Sequence, residues 1–448
     1  MLRISRCAAA LLLLAAPAFA ADRFEKTIHA AVDYQGGRVT IDHRFGRVSV
    51  RTSNSDQVTA RGIVRSSDAE LGKQIRFAVM NGTGGVSIRT IFPEIHSHSG
   101  ELSYSADLEV SIPERAPLFL RNRFGSVDVE GLRASSEIVN GQGSISFRDS
   151  RGSQRIENSF GSITVQNSNG DTTVQNANGA VSISDVGGTL SVSNRFASVS
   201  VERVMKKVSI ANGNGAVTVV DVKGPANINN SFATVELRNI GGTIDVTNQN
   251  GRVDASDING AATIRNSFAS IEARNIHGPA TITSGNGNVS AIDIHGDLSV
   301  DTRFGLVKAE HVRGSLSVDN QNGGVTATDV TGNARVHTSF ASVFLKDITG
   351  AVDVEDQNGG IAVSGLRGGC NTISLRTSFS SIKVALGSNA SYTISARTSY
   401  GSINTDIPFT VTAKSSTDST STFSGTIGNG GCKMELNTSN GGITITRE

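Results

Sequence analysis

Seven phenylalanines, Phe124, Phe160, Phe196, Phe232, Phe268, Phe304 and Phe340, stand 36 residues apart without a slip. Midway between them runs a second series, Asn178, Asn214, Asn250, Asn286, Asn322 and Asn358, each followed by Gly and also 36 apart. Each Asn lies 18 residues from a neighbouring Phe, so the unit is two 18-residue halves in which Phe-Ala/Gly and Asn-Gly share one position. A register held over about 230 residues is the mark of a solenoid, in which each repeat contacts only its neighbours.

One unit shows how a half can close into a coil. From Phe232 the apolar positions are Val235, Leu237, Ile240, Ile244 and Val246, and the next half supplies Val253, Ala255, Ile258, Ala262 and Ile264. Pairs at i and i+2 mark short strands with one face inward. Asn-Gly or Phe-Ala breaks the strands at one corner, and Ile/Val-x-Gly breaks them at another, where Asn and Gly tolerate the positive φ of sharp turns. The expected fold is all-β: a single-chain parallel β-solenoid with about 18 residues per coil, written as a 36-residue double repeat and capped at both ends. A 36-residue coil is the rival geometry. A right-handed coil is expected by analogy with parallel crossovers. A Phe ring is expected to be too bulky to share one corner with a copy in every coil, so that large and small residues alternate along the stack.

Composition agrees with many short strands and tight turns. Gly is 49 of 448 residues, about 11 % against a usual 7 %, and there is no Trp. Residues 1–20 read as a signal peptide: Arg3 and Arg6, an apolar run around Leu11 to Leu14, and the small-x-small site Ala18-Phe19-Ala20. Without Arg3 and Arg6 the formal charge is 39 minus 40, or −1, with both signs interspersed. Nothing in it would draw the chain to nucleic acid or to an anionic bilayer, and no later stretch is long enough for an integral membrane segment.

The expected organisation is a signal peptide at 1–20, an N-terminal β cap with irregular early coils at 21–118, the regular solenoid at 119–406, and C-terminal coils and cap at 407–448. Gln57 to Val64 and Leu108 to Ile112 read as strands, Ser67 to Gln74 as the one helix-like stretch, and Lys414 to Thr422 as an exposed loop. Towards the end the spacing loosens, through Phe379, Tyr400 and Asn440.

The strand Val110-Ser111-Ile112-Pro113 leading into Phe124-Gly125-Ser126-Val127-Asp128-Val129, the recurring Asn-Gly-x-Val/Ile-x-Val pattern, and the closing Asn440-Gly441-Gly442-Ile443-Thr444-Ile445 resemble the bacterial putative-adhesin family of exported β-strand-repeat proteins. Many members of the family have no assigned biochemical function. The resemblance implies a β-strand-repeat fold and an adhesin-type role. The strict 36-residue spacing departs from the looser family pattern.

Candidate chemistry is sparse. Asp185, Asp221, Asp257, Asp293 and Asp329 form a column 36 apart, with Arg203, Asn239, Asn275, His311 and Asp347 between them. Acids two coils apart would be separated by roughly 9.6 Å, too far to share one Ca²⁺, so they are read as holding turns. His96 and His98, near Glu94 and Glu101, are read as exposed loop residues, and His277 and His295 as corner residues on adjacent coils. No nucleophile elbow, phosphate loop or zinc-protease motif occurs. No catalytic, cofactor or metal site is therefore assigned, and no cofactor is expected. Cys370 and Cys432 are the only cysteines after the leader, and an oxidising compartment would allow a disulfide. Regular stacking would hold them about three coils, roughly 14 Å, apart, so pairing requires the C-terminal segment to fold back.

The function expected is a non-enzymatic exported solenoid, an adhesin or cell-envelope interaction scaffold in the periplasm or at the cell surface. Its partners would be envelope or surface glycans or proteins. The alternative is a carbohydrate-binding or polysaccharide-degrading β-helix protein.

Overall fold

The computed structural model describes residues 24–94, 102–367, 371–417 and 419–448. The signal-peptide reading at 1–20, His96, His98, Glu101 and Cys370 lie outside these residues. Each central coil gives one strand to each of two sheets. Strand Ala226–Phe232 lies in one sheet and strand Val235–Ile240 in the other. Every strand pairs in parallel with its equivalents one coil away. Val235 faces Val217 and Val253, and Ile228 faces Ile210 and Val246. All these partners are 18 residues apart in the chain, which rules out the 36-residue coil.

Alternation of side chains along a strand explains the inward set. Ala226, Ile228 and Asn230 are buried from one sheet, and Val235 and Leu237 from the other. Ile240, three residues after Leu237, is buried as well, which strict alternation forbids. The reason is Asn239, which has φ 56°. One left-handed residue per coil turns the strand so that the next apolar side chain faces inward. Asp185, Asp221, Asp257, Asp293 and Asp329 occupy that place with φ between 57° and 60°. Asp and Asn adopt this conformation at least cost among residues with a Cβ. The acid column is thus a backbone requirement. At the Asn-Gly corner the limit is space: a Cβ on Gly251 would lie 1.7 Å from the Ala233 carbonyl oxygen of the neighbouring coil.

The ends depart from simple stacking. Strand Ile373–Thr377 does not pair with the next strand of its sheet in sequence, Tyr392–Thr398. It pairs with Cys432–Thr438, and Tyr392–Thr398 stacks on the far side of that strand. The other sheet repeats the order, with Ile443–Arg447 between Ile382–Leu386 and Ile403–Thr405. The last coil in sequence is therefore second to last in space. The N-terminus mirrors this. Strands Val39–Asp42 and Val48–Ser53 lie between the coil of Leu118–Phe124 and Val127–Glu130 and that of Gly85–Ile91 and Tyr104–Pro113. Ion pairs from Arg47 and Arg51 to Asp128 tie this inserted coil to its neighbour.

Antiparallel strands cover the edges of both sheets at the N-terminal end and of one sheet at the C-terminal end, which otherwise would present unpaired backbone groups. At one end Gln57–Ser66 pairs with Tyr104–Pro113, Phe24–Asp33 pairs with Gln57–Ser66, and Arg76–Gly82 pairs with Gly85–Ile91. At the other Ser421–Ile427 covers Tyr392–Thr398 and is covered by Thr410–Ser416. Of the exposed loop expected at Lys414 to Thr422, residues 414–416 and 421–422 lie instead in paired antiparallel strands. Its polarity reflects an outermost strand that is exposed along its length, not a lack of pairing. The helix-like stretch is a short helix, Ala69–Gln74, capped by the Asp68 carboxylate, which accepts from the Glu70 and Leu71 N–H groups. No helix among the described residues is long and apolar enough to cross a membrane.

Candidate functional site

Three columns run the length of the stack, one inside and two outside. The inner one consists of polar residues at the third inward place of each coil. Asn122, Asn140, Asn158, Asn176, Asn194, Asn212, Asn230, Asn248 and Asn266 are all buried, followed by Ser284, Thr302, Asn320, Thr338 and Asp356. The amides of Asn122, Asn140, Asn158, Asn176, Asn248 and Asn266 bridge corners of adjacent coils: Asn158 Nδ2 donates to the carbonyl oxygens of Gly143 at 2.9 Å and Gly161 at 3.1 Å. This column answers the turn carbonyls that tight corners strand. The Asn-Ser-Phe motif carried its signal, because its Asn stands two residues before the corner and recurs every 18 residues from Asn122 to Asn266. Its polar character at an inward place hid it.

Asp356 is the column's one carboxylate. Its Oδ1 accepts from the N–H groups of Asn358 at 3.2 Å and Gly359 at 2.9 Å, while Oδ2 is buried without a partner. Burial pushes its pKa up. A raised folded-state pKa favours the neutral form, so that stability is fully present below the ordinary carboxyl range and is lost as pH rises through the folded value. Asp356→Asn, the column's usual residue, is expected to raise stability at neutral pH by about 1 kcal/mol. Thermal melts at acid and neutral pH check this, the gain vanishing in acid.

The second column is the left-handed one. Its side chains pair across coils: Asn167 with Asp149 at 2.7 Å, Asn275 with Asp257 at 2.7 Å, Arg203 with Asp185 at 2.6 Å, and His311 with Asp329 at 2.9 Å. Asp149, Asp185, Asp257 and Asp329 thus direct lone pairs to neighbours in the same column. His277 and His295 stack on adjacent coils, with ring centroids 4.8 Å apart and planes 3° from parallel. Among the described residues no three His, Cys, Asp or Glu side chains are grouped to hold a metal.

The third column is aromatic and faces solvent. The seven Phe of the repeat, with Phe379 and Tyr400, are 36 % to 71 % exposed. The Asn of the alternating series occupy the same corner in the coils between, and Asn358 Nδ2 donates to the Ser339 carbonyl at 2.9 Å. The inserted C-terminal coil preserves the alternation. Thr377 faces Thr438 and Thr398 faces Thr438, so Asn440 lies between Phe379 and Tyr400. The expectation that rings cannot occupy this corner in successive coils is overturned at the N-terminal end. There Phe45 and Phe124 stack with centroids 5.1 Å apart and planes 4° from parallel. One-coil spacing suits stacked rings, because it falls inside the usual range of about 4.5–7 Å.

An open polar groove of about 560 Å³ runs along several coils, lined by Glu157, Gln175, Ser193 and Asn229 from the strands and by Arg195 near the corner.

Cys432 is disulfide-bonded. The coil that it opens stacks directly on strand Ile373–Thr377, so the three-coil separation expected from regular stacking does not apply. We propose Cys370 as its partner. Peptide mapping of the unreduced protein should give a Cys370–Cys432 linked peptide, and a free Cys370 thiol would contradict it.

The family described as Toastrack DUF4097 matches residues 279–446, the C-terminal part of the stack including the inserted coil. This agrees with the resemblance to a β-strand-repeat family, many members of which have no assigned function. Among solved structures the chain is similar to a putative cell adhesion protein from Clostridium sporogenes ATCC 15579, at 9 % identity over 95 % of this chain and 100 % of that one. The TM-score of 0.17 is too low to carry an argument. No curated protein matches the sequence.

Proposed function

We propose that this Toastrack-like solenoid is a non-enzymatic exported scaffold, acting as an adhesin or as an interaction surface of the cell envelope. The observation that carries the reading is the continuity of its outer columns. From Phe124 to Tyr400 the aromatic corner alternates with polar corners, and in space the alternation survives even where the chain order does not. Continuity of this kind suits a partner engaged along a length rather than a small molecule held at one point. The left-handed column supports the same reading, since Asp185, Asp257 and Asp329 are engaged by neighbours in their own column. Fractionation of cells combined with protease shaving tests the location. Protection from shaving with release from the periplasm would restrict the role to the envelope interior, and a cytoplasmic location would overturn the proposal.

The open groove lined by Glu157, Gln175, Ser193, Arg195 and Asn229 favours a second reading, a carbohydrate-binding or carbohydrate-degrading solenoid. Convergent hydrogen-bonding side chains of this kind are what orient small polar ligands. A glycan array and a reducing-sugar release assay separate the two. Glycan retention without release keeps the scaffold reading and identifies its partner, whereas turnover of a polysaccharide contradicts it.

A further inference from the structure

The aromatic ladder has a property that sterics do not demand. Phe45 and Phe124 show that this corner accepts rings in successive coils, stacked at 5.1 Å. Elsewhere the chain places a ring only in every second coil and an Asn-Gly or an equivalent polar corner between. Nine aromatic rungs from Phe124 to Tyr400 thus enclose eight gaps. Successive rungs are ~9.6 Å apart, twice the spacing of neighbouring strands. A ring inserted midway would lie ~4.8 Å from each neighbour, within the range of favourable aromatic pairs.

We infer that the gaps are filled by the aromatic ladder of a second copy of this chain, the two solenoids lying side by side and antiparallel with their rings interdigitated. Three considerations select this occupant. The first is register. A ligand of any other period drifts out of phase over eight gaps, whereas a second copy has the same rise by construction. The second is symmetry. A two-fold axis perpendicular to the stack places up to eight of the nine rings of one copy in gaps of the other and closes the assembly, so no filament follows. The third is area. Nine rings about half exposed, of roughly 150–250 Å² each, present roughly 1,000 Å² per copy, above the roughly 800 Å² per partner of a standard interface. The inference is independent of where the scaffold acts, and it assigns the ladder itself to a second copy and not to a glycan.

Sedimentation velocity of the full exported chain over a dilution series, with and without substitutions in the ladder, tests it. The wild type should be a dimer that dissociates on dilution. A variant combining Phe196→Ser, Phe232→Ser, Phe268→Ser and Phe304→Ser should sediment as a monomer, or dissociate at concentrations at least about tenfold higher. These rings lie outside the core, so circular dichroism melts should match the wild type. The decisive variant combines Asn214→Phe, Asn250→Phe and Asn286→Phe. It makes the edge more apolar but fills the gaps. Interdigitation predicts that this variant loses the dimer, whereas a merely sticky edge predicts that it associates more strongly. A wild type that stays monomeric at all concentrations, including one retained on a glycan instead, would overturn the inference. So would a filled ladder that still dimerises.

Discussion

Deleting residues 432–448 should unfold the C-terminal end of the stack well beyond the deleted coil. In an ordinary solenoid, removing the last repeat moves the end inward by one and leaves the rest intact. Here the deleted strands, Cys432–Thr438 and Ile443–Arg447, lie between the coil of Ile373–Thr377 and Ile382–Leu386 and that of Tyr392–Thr398 and Ile403–Thr405. The truncation opens a slot and unpairs a strand edge on each side of it. Met434, Leu436, Ile443 and Ile445 are fully buried. At about 1.5–3 kcal/mol per buried side chain their removal costs on the order of 8 kcal/mol, comparable with the stability of a whole domain. The coil beyond the slot and the hairpin Thr410–Ser416 and Ser421–Ile427 depend on that coil for their attachment. Limited proteolysis should therefore cut the truncated chain between residues 387 and 431, a segment that it retains. Hydrogen exchange there should lose its protection, and an unchanged protection pattern would show that the terminal coil is dispensable.

Acid should loosen the opposite end, and His43 should be the cause. It occupies the inner polar column in the inserted N-terminal coil, at the place where the coils from Asn122 to Asn266 carry Asn. The ring is buried; Nδ1 lies 2.7 Å from Thr90 Oγ1, and Nε2 has no partner. Burial holds its pKa down, from 6.5 to about 4, against weaker opposing contributions from the backbone at Phe45 and Ala106 and from Asp107 and Asp42. The folded state thus favours the neutral ring. Stability is fully present above the unfolded pKa of 6.5 and is lost as pH falls through the folded value near 4. The shift corresponds to about 3 kcal/mol. His43→Asn installs the column's usual residue and should abolish this part of the acid sensitivity. Denaturant melts at pH 7 and pH 4 measure it: the wild type should lose about 3 kcal/mol more than the variant, and equal losses would remove His43 from the account.

The repeat made most of the fold legible. The constant step between equivalent Phe and Asn set the coil length, because each half carries its own inward template, as Val235, Leu237 and Ile240 show. The step of three before Ile240 was visible, but its cause lay in the backbone at Asn239, where only φ distinguishes a kink from a corner. The Asn column is present in every Asn-Ser-Phe motif but is not legible there, since inward polar residues look like turn residues until the carbonyls that they serve are seen. The inserted ends were beyond local reading. Every coil offers neighbours the same pattern of buried residues, so pairing strength alone does not say which coil lies next to which. One trace of the insertion existed. Phe379 and Tyr400 follow each other in consecutive coils of the sequence, breaking the alternation of aromatic and polar corners, and Asn440 was available to restore it. The exposure of the Phe rings was hidden for a simpler reason: an apolar residue at a regular spacing reads as core, and only the side of the corner on which it projects decides otherwise.

The claim on which the rest depends is a rigid stack that advances by one strand spacing with each coil of 18 residues. Ser182 and Thr326 face outward in the same column of the same sheet, linked by eight successive parallel pairings from one coil to the next. Spin labels at Ser182→Cys and Thr326→Cys, measured by double electron–electron resonance at a dilution that keeps the protein monomeric, should give one narrow distance of ~38 Å. A distance of ~19 Å, as a 36-residue coil requires, or a broad distribution would contradict the stack itself.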